Sequence, residues 1–258
     1  MLTVPVSEVA GGWRWGLGGW AALAVLAAVP WVALVAHDRH LDQTPQTITF
    51  RQVARTRLGQ AMALFFGLQS LQAYAIFGWF AQLWRDSGYS PTVAGVLAGV
   101  LAAAAIPLSL WLPNVLARSA DPRRVLFAVI LAYPVGYVGL MIAPHSLAIA
   151  WALVVGAATA TFPLILTLIG LRARTPEGTA SLSAFTQSTG YLIAAAGPFL
   201  VGVVHDATGG WTWPLVLLTA LALPLLPLAA YVSRPVLLED QLDLRQERST
   251  GSVRSGGS

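Results

Sequence analysis

A chain of 258 residues that is 56% hydrophobic and only 10% charged is not a water-soluble globule, because soluble domains carry about 25% charged residues to solvate their surface. Its net charge of +4 comes from fifteen arginines and no lysine, spread singly or in small groups between apolar runs, which argues against a one-sided nucleic-acid surface and for contact with membrane phosphates. Cysteine is absent, so disulfides, thiolate metal sites and Cys nucleophiles are excluded.

The opening stretch, MLTVPVSEVAGGWRW, has no basic run before its apolar segment and no small-residue cleavage pattern after it, so it is read as retained rather than as a removable signal. The first apolar segment, 15–36, is long enough to cross a bilayer, which takes about 20 residues as a helix. A long polar connection, 37–57, follows. Six further apolar segments are then separated by short turns: 58–83, 92–116, 124–143, 147–171, 179–204 and 212–232. All are predicted helical, since a lipid-embedded helix satisfies its own backbone. Ser90-Pro91, Asp121-Pro122 and Thr175-Pro176 each place a capping side chain before a proline suited to a first helical turn. From Arg234 the chain turns polar and ends in ERSTGSVRSGGS, a composition that predicts a disordered tail over 234–258. The expected fold class is all-α, a polytopic membrane protein of seven transmembrane helices arranged one plus six.

Arginine placement sets the predicted orientation. Arg39, Arg51, Arg55, Arg57, Arg118, Arg123, Arg124, Arg172, Arg174, Arg234, Arg245, Arg248 and Arg254 share one side, and only Arg14 and Arg85 share the other. The first side is expected to be cytoplasmic, with the N-terminus outside and the C-terminus inside a bacterial plasma (inner) membrane.

Three strings carry a family resemblance. The turn Leu116-Ala117-Arg118-Ser119-Ala120-Asp121-Pro122-Arg123-Arg124 is similar to the cytoplasmic signature of the major facilitator superfamily, an acidic residue flanked by basic ones, without the family's glycines. FFGLQSLQAYAIFGWFAQLWRDSGYS at 65–90 and PLILTLIGLRARTPEGTASLSAFTQSTGYLIAAAGPFLVGVVHDATGGW at 163–211 resemble its cyanate and 2-nitroimidazole transporter branch. The resemblance spans nearly the whole chain and implies the second half of a twelve-helix transporter with the last helix of the first half attached. Residues 1–36 would be that leading helix, 37–57 the cytoplasmic loop between halves, and 58–233 the six-helix half. It implies alternating access, in which two halves rock about a mid-membrane site. The partners expected are a small polar or anionic solute, the lipid bilayer, and a missing N-terminal half or a second copy; no nucleic acid, metal or cofactor is expected.

Polar side chains within spans are the candidate solute contacts, since each costs free energy in lipid unless it faces a cavity or a neighbouring helix. On 58–83, Gln69 and Gln72 are three apart and share a face with Phe65, Ile76 and Trp79. They are read either as an amide pair for a solute or as bonds to adjacent helices, each of the latter worth about 0.6 kcal/mol. On 179–204, Ser183, Gln187 and Tyr191 stack at four-residue spacing. Thr161-Phe162-Pro163 is read as a kink. No carboxylate is expected deep within a span, and His37, His40, His145 and His205 fall in predicted loops, so a buried proton relay is not evident.

A retinal protein needs a lysine in its last helix, and a seven-helix receptor distributes its loop lengths differently. No HExxH or GxSxG motif and no paired intramembrane Asp suggests an enzyme. The remaining rival to a transporter is a truncated or half-length chain that is inactive without a partner.

Overall fold

The computed structural model describes residues 13–38 and 48–243; the sequence readings that fall on 1–12, 39–47 and 244–258, including Arg39, His40 and the last three arginines, lie outside the described residues. The chain divides into two compact units, Met1–Pro45 and Gln46–Ser258. In the first, helix α1, Trp13–Asp38, keeps Pro30 inside a continuous helix and carries the apolar stretch Gly18–Trp31. At about 1.5 Å per residue its 26 residues are long enough to span hydrocarbon.

The second unit opens with a short helix, α2, Phe50–Arg55, inside what the sequence reads as an open loop. Thr49 and Gln52 form a capping box, Val53 is buried, Phe50 meets Phe185 edge to face at 4.8 Å, and Ser181 donates to the Ile48 carbonyl at 2.8 Å. Six spans follow, each long and apolar enough to cross a membrane. They are α3, Arg57–Asp86; α4, Pro91–Arg118; α5, Pro122–Ile142; α6 and α7, Ala148–Ala158 and Thr161–Leu171, as one broken span; α8, Pro176–Thr208; and α9 and α10, Thr212–Ala222 and Leu225–Val232, as another. Among the described residues there is no strand, and the chain is an all-α polytopic membrane protein.

The predicted caps form: Ser90, Asp121 and Thr175 accept from the backbone of Val93, Arg123 and Gly178, each before a proline in the first turn. Proline also explains the two breaks. Pro163 and Pro224 lack the N–H that would close the preceding turn, and the chain adjusts with Phe162 N–H donating to Thr159 O and Leu226 N–H to Leu223 O, both at 3.1 Å. The hydroxyls of Thr159 and Thr161 take the Gly156 and Ala158 carbonyls at 2.7 Å each. The expected kink at Thr161-Phe162-Pro163 is therefore an interruption with its backbone re-satisfied.

Short turns make successive spans antiparallel, so α3, α5 and α8 run the same way. Glycine sets how closely α3 and α8 approach. A Cβ on Gly190 would lie 2.5 Å from Phe66 Cδ1 and 3.1 Å from the Gly67 nitrogen, and one on Gly197 would lie 2.6 Å from the Leu71 carbonyl oxygen. Small residues at such a crossing let two backbones pack without side chains between them.

The end where α3, α5 and α8 begin carries Arg57, Arg118, Arg123, Arg124, Arg172, Arg174 and Arg234. There the expected disordered tail is corrected over its described part: 238–243 is helical and Leu238 is buried. Leu238 N–H donates to the Arg172 carbonyl at 2.9 Å, while Arg172 itself, buried, donates to the Val232 and Ser233 carbonyls at 2.8 Å each and so closes the exposed end of α10. Burial pulls the Arg172 guanidinium below its ordinary pKa. The Glu239 carboxylate caps the start of α8, accepting from Arg174 N–H at 2.9 Å and Thr175 N–H at 3.0 Å. Its burial acts to raise its pKa, but those N–H donors and the Thr175 hydroxyl outweigh it and hold the carboxyl below its usual value. Gln241 accepts from Leu58 N–H at 3.1 Å, tying the same segment to the start of α3. Composition concealed this because the polar side chains here pair with helix ends rather than with water.

Candidate functional site

The glutamine stripe of α3 divides into two environments. Gln72 is fully buried: its Nε2 donates to the Leu218 carbonyl of α9 at 2.8 Å, and its Oε1 accepts from the Tyr137 hydroxyl of α5 at 2.7 Å. Both amide atoms are thus engaged in joining three helices. Gln69 is also fully buried, donating to the neighbouring Ser70 hydroxyl at 2.7 Å, while its Oε1 has no protein partner. Neither amide opens onto the surface of the unit.

A different polar face is accessible. Tyr191 of α8 stacks on Tyr74 of α3, with ring centroids 6.3 Å apart and planes 19° apart, and meets Phe66 edge to face at 5.0 Å. Phe66 is buried and in turn contacts Phe162 of α7 at 5.8 Å, so the aromatic set draws on both sides of the α3–α8 crossing. Tyr74 and Tyr191 are 44% and 39% exposed, which separates them from the closed glutamine pair. One turn before Tyr191, Gln187 donates to Ser183 at 2.6 Å, both half-buried on the same side of α8. The structure therefore brings Ser183, Gln187 and Tyr191 into one row beside Tyr74, and does not bring Gln69 and Gln72 to it. Tyr74, Phe66 and Tyr137 escaped the sequence reading because an aromatic residue in an apolar helix has the pattern of packing.

Trp79 lies two turns further along α3, half-buried, its indole N–H on the Pro198 carbonyl at 2.8 Å and its ring beside Gly202. It belongs to a cluster with His205 and Trp211 at the end of the unit remote from the arginines. At the opposite end, the signature turn holds Asp121 between Arg123 at 3.7 Å and Arg124 at 3.3 Å, with Arg118 in the last turn of α4. Asp121 also caps α5, so the acidic position of that string has a structural duty here without the family's glycines.

No family model matches the chain. Curated proteins do. It is 33% identical over 224 residues to the "Uncharacterized transporter YycB" of Bacillus subtilis, covering 85% of this chain and 55% of that protein. It is 37% identical over 224 residues to the "2-nitroimidazole transporter" of Escherichia coli, covering 86% and 57%. With the "Cyanate transport protein CynX" of Escherichia coli it shares 28% over 204 residues, covering 77% and 52%. The chain spans about half the length of the curated relatives it matches.

Proposed function

From the premise that this chain is a homologue of major facilitator superfamily transporters of the cyanate and nitroimidazole branch, we propose that it forms one wall of a pathway for a small polar or anionic solute. The wall is the open face of α3 and α8. The observation that carries this reading is the accessible Tyr74–Tyr191 stack bordered by Gln187 and Ser183, on two parallel spans. Stacked phenol rings offer a flat apolar surface with hydroxyls at its edge, and a neutral amide and hydroxyl beside it supply hydrogen bonds without a buried charge. A planar, cyanate-like or nitroimidazole-like solute suits that chemistry. Gln72 holds α3, α5 and α9 together, and Gln69 stands behind the wall.

The other wall comes from a further set of spans, either elsewhere in the same polypeptide or in a second copy, because the matched part of this chain covers only 52–57% of each relative. Movement is by alternating access of the two walls. The arginine-rich end faces the cytoplasm of a bacterial inner membrane, with the chain entering α1 from outside. The transporter relatives support solute movement rather than catalysis.

Uptake of labelled cyanate and of 2-nitroimidazole by cells expressing the complete gene tests the assignment. Tyr191→Ala and Gln187→Ala should each lower uptake of one of the two at least fivefold at unchanged membrane expression. Uptake of neither solute by the wild type, or unaltered uptake in both variants, would contradict the assigned solute class or wall.

A further inference from the structure

His205, in the last turn of α8, has a carboxylate facing each ring nitrogen. Nε2 lies 3.7 Å from Asp86 Oδ2, at the last residue of α3, and Nδ1 lies 3.5 Å from Asp206 Oδ1. A neutral imidazole has one N–H and one lone pair, so it can donate to only one of these carboxylates and turns its lone pair on the other. The imidazolium has two N–H groups and suits both. The ring also lies beside two indoles, 4.3 Å from Trp211 and 6.3 Å from Trp79 between centroids, and an indole face can hold a cation.

Asp86 is fixed for this role. Its Oδ1 accepts from Gln82 at 2.6 Å and its Oδ2 from the Trp211 indole N–H at 2.9 Å. The cluster thereby joins the ends of α3 and α8 to the start of α9. At this end, the charged groups that those elements contribute are Asp86 and the exposed Arg85 from α3 and Asp206 from α8; α9 contributes none, and Arg57 of α3 and Glu177 of α8 lie at the opposite ends of their helices. His205 is neither sealed nor free, with its side chain 23% exposed, so protons reach it from water.

We propose that His205 is a proton-binding site that fastens the ends of α3 and α8 when charged and releases them when neutral. On the transport reading above, these are the two helices that present the solute wall, so the site would make the opening of their outer ends depend on external pH. No carboxylate or histidine deeper in the described spans than these terminal turns is then required for the pathway to respond to protons.

The test has two independent arms. In the purified chain in nanodiscs, histidine-labelled NMR over pH 5 to 8, assigned with His205→Gln, should show the His205 proton affinity falling at least threefold in Asp86→Asn. Spin labels at Ser87→Cys and Thr208→Cys, in a chain with no native cysteine, should move apart as pH rises through the His205 transition and should stop responding to pH in His205→Gln. Equal proton affinity in Asp86→Asn, or label separation independent of pH in the parent chain, overturns the proposal. Uptake by the complete gene is the second arm. Absent uptake with the predicted titration would sink the transport reading and leave the proton site standing, whereas uptake with a pH profile unchanged by Asp86→Asn would sink the coupling.

Discussion

At the residue scale, the informative contrast is between two kinds of polar side chain in a membrane span. Gln72 uses both amide atoms to join helices, whereas Tyr191 stays partly exposed. Removing one partner of a buried hydrogen bond strands the other, at a cost of about 1–3 kcal/mol. Gln72→Ala strands the Tyr137 hydroxyl and should destabilise the unit by about that amount. Tyr137→Phe removes the donor and should cost less, closer to the roughly 0.6 kcal/mol average of interhelical bonds in membranes. Unfolding of the two variants in mixed micelles measures the order, and an equal or reversed order would mean that Gln72 is not the tie between α3, α5 and α9. Helical spacing put Gln69 and Gln72 on one face correctly as geometry. It could not say which neighbour covers that face, because the partners Tyr137 and Leu218 are 65 and 146 residues away.

At the element scale, the spans were legible almost to the turn. The apolar segment read at 212–232 is the span Thr212–Val232, and that read at 58–83 is Arg57–Asp86. Lipid makes this so, since the length of hydrocarbon to be crossed and the need to pair every backbone group leave few alternatives. The approach of elements was less legible, since a glycine in sequence does not announce its neighbour. Gly190→Leu drives a side chain into Phe66 and the backbone at Gly67 and should abolish accumulation of folded protein, as overpacking costs typically 1–3 kcal/mol before any backbone shift. Gly95→Leu, where a Cβ meets nothing within 4 Å, should be tolerated. Detergent gel filtration of both distinguishes a packing defect from general intolerance of leucine.

The segment 238–243 behaves as part of this bundle rather than as a tail. Glu239 has a folded-state pKa below its ordinary value. Its contribution is therefore present above the ordinary carboxylate range and is lost as pH falls through the lowered folded-state value. Limited proteolysis of the segment should accelerate on acidification in the wild type. In Glu239→Gln it should be faster already at neutral pH and nearly flat with acid. A wild type whose cleavage rate does not change with acid would remove Glu239 as the pin on the start of α8.

At the scale of the whole molecule, the six spans described in the second unit hold the buried Gln72 hydrogen bonds between α3, α5 and α9, and show an aromatic and amide row on the open side of α3 and α8. The first arrangement stabilises the unit, and the second is where a solute would meet it. The absence of cysteine allows these two faces to be compared directly. In cells expressing the complete gene, Tyr191→Cys and Gln72→Cys are exposed to a membrane-impermeant thiol reagent, with and without saturating cyanate or 2-nitroimidazole. The account predicts labelling at position 191 that the transported solute slows, and no labelling at position 72. Labelling at position 72 that the solute slows, with position 191 inert, would contradict it.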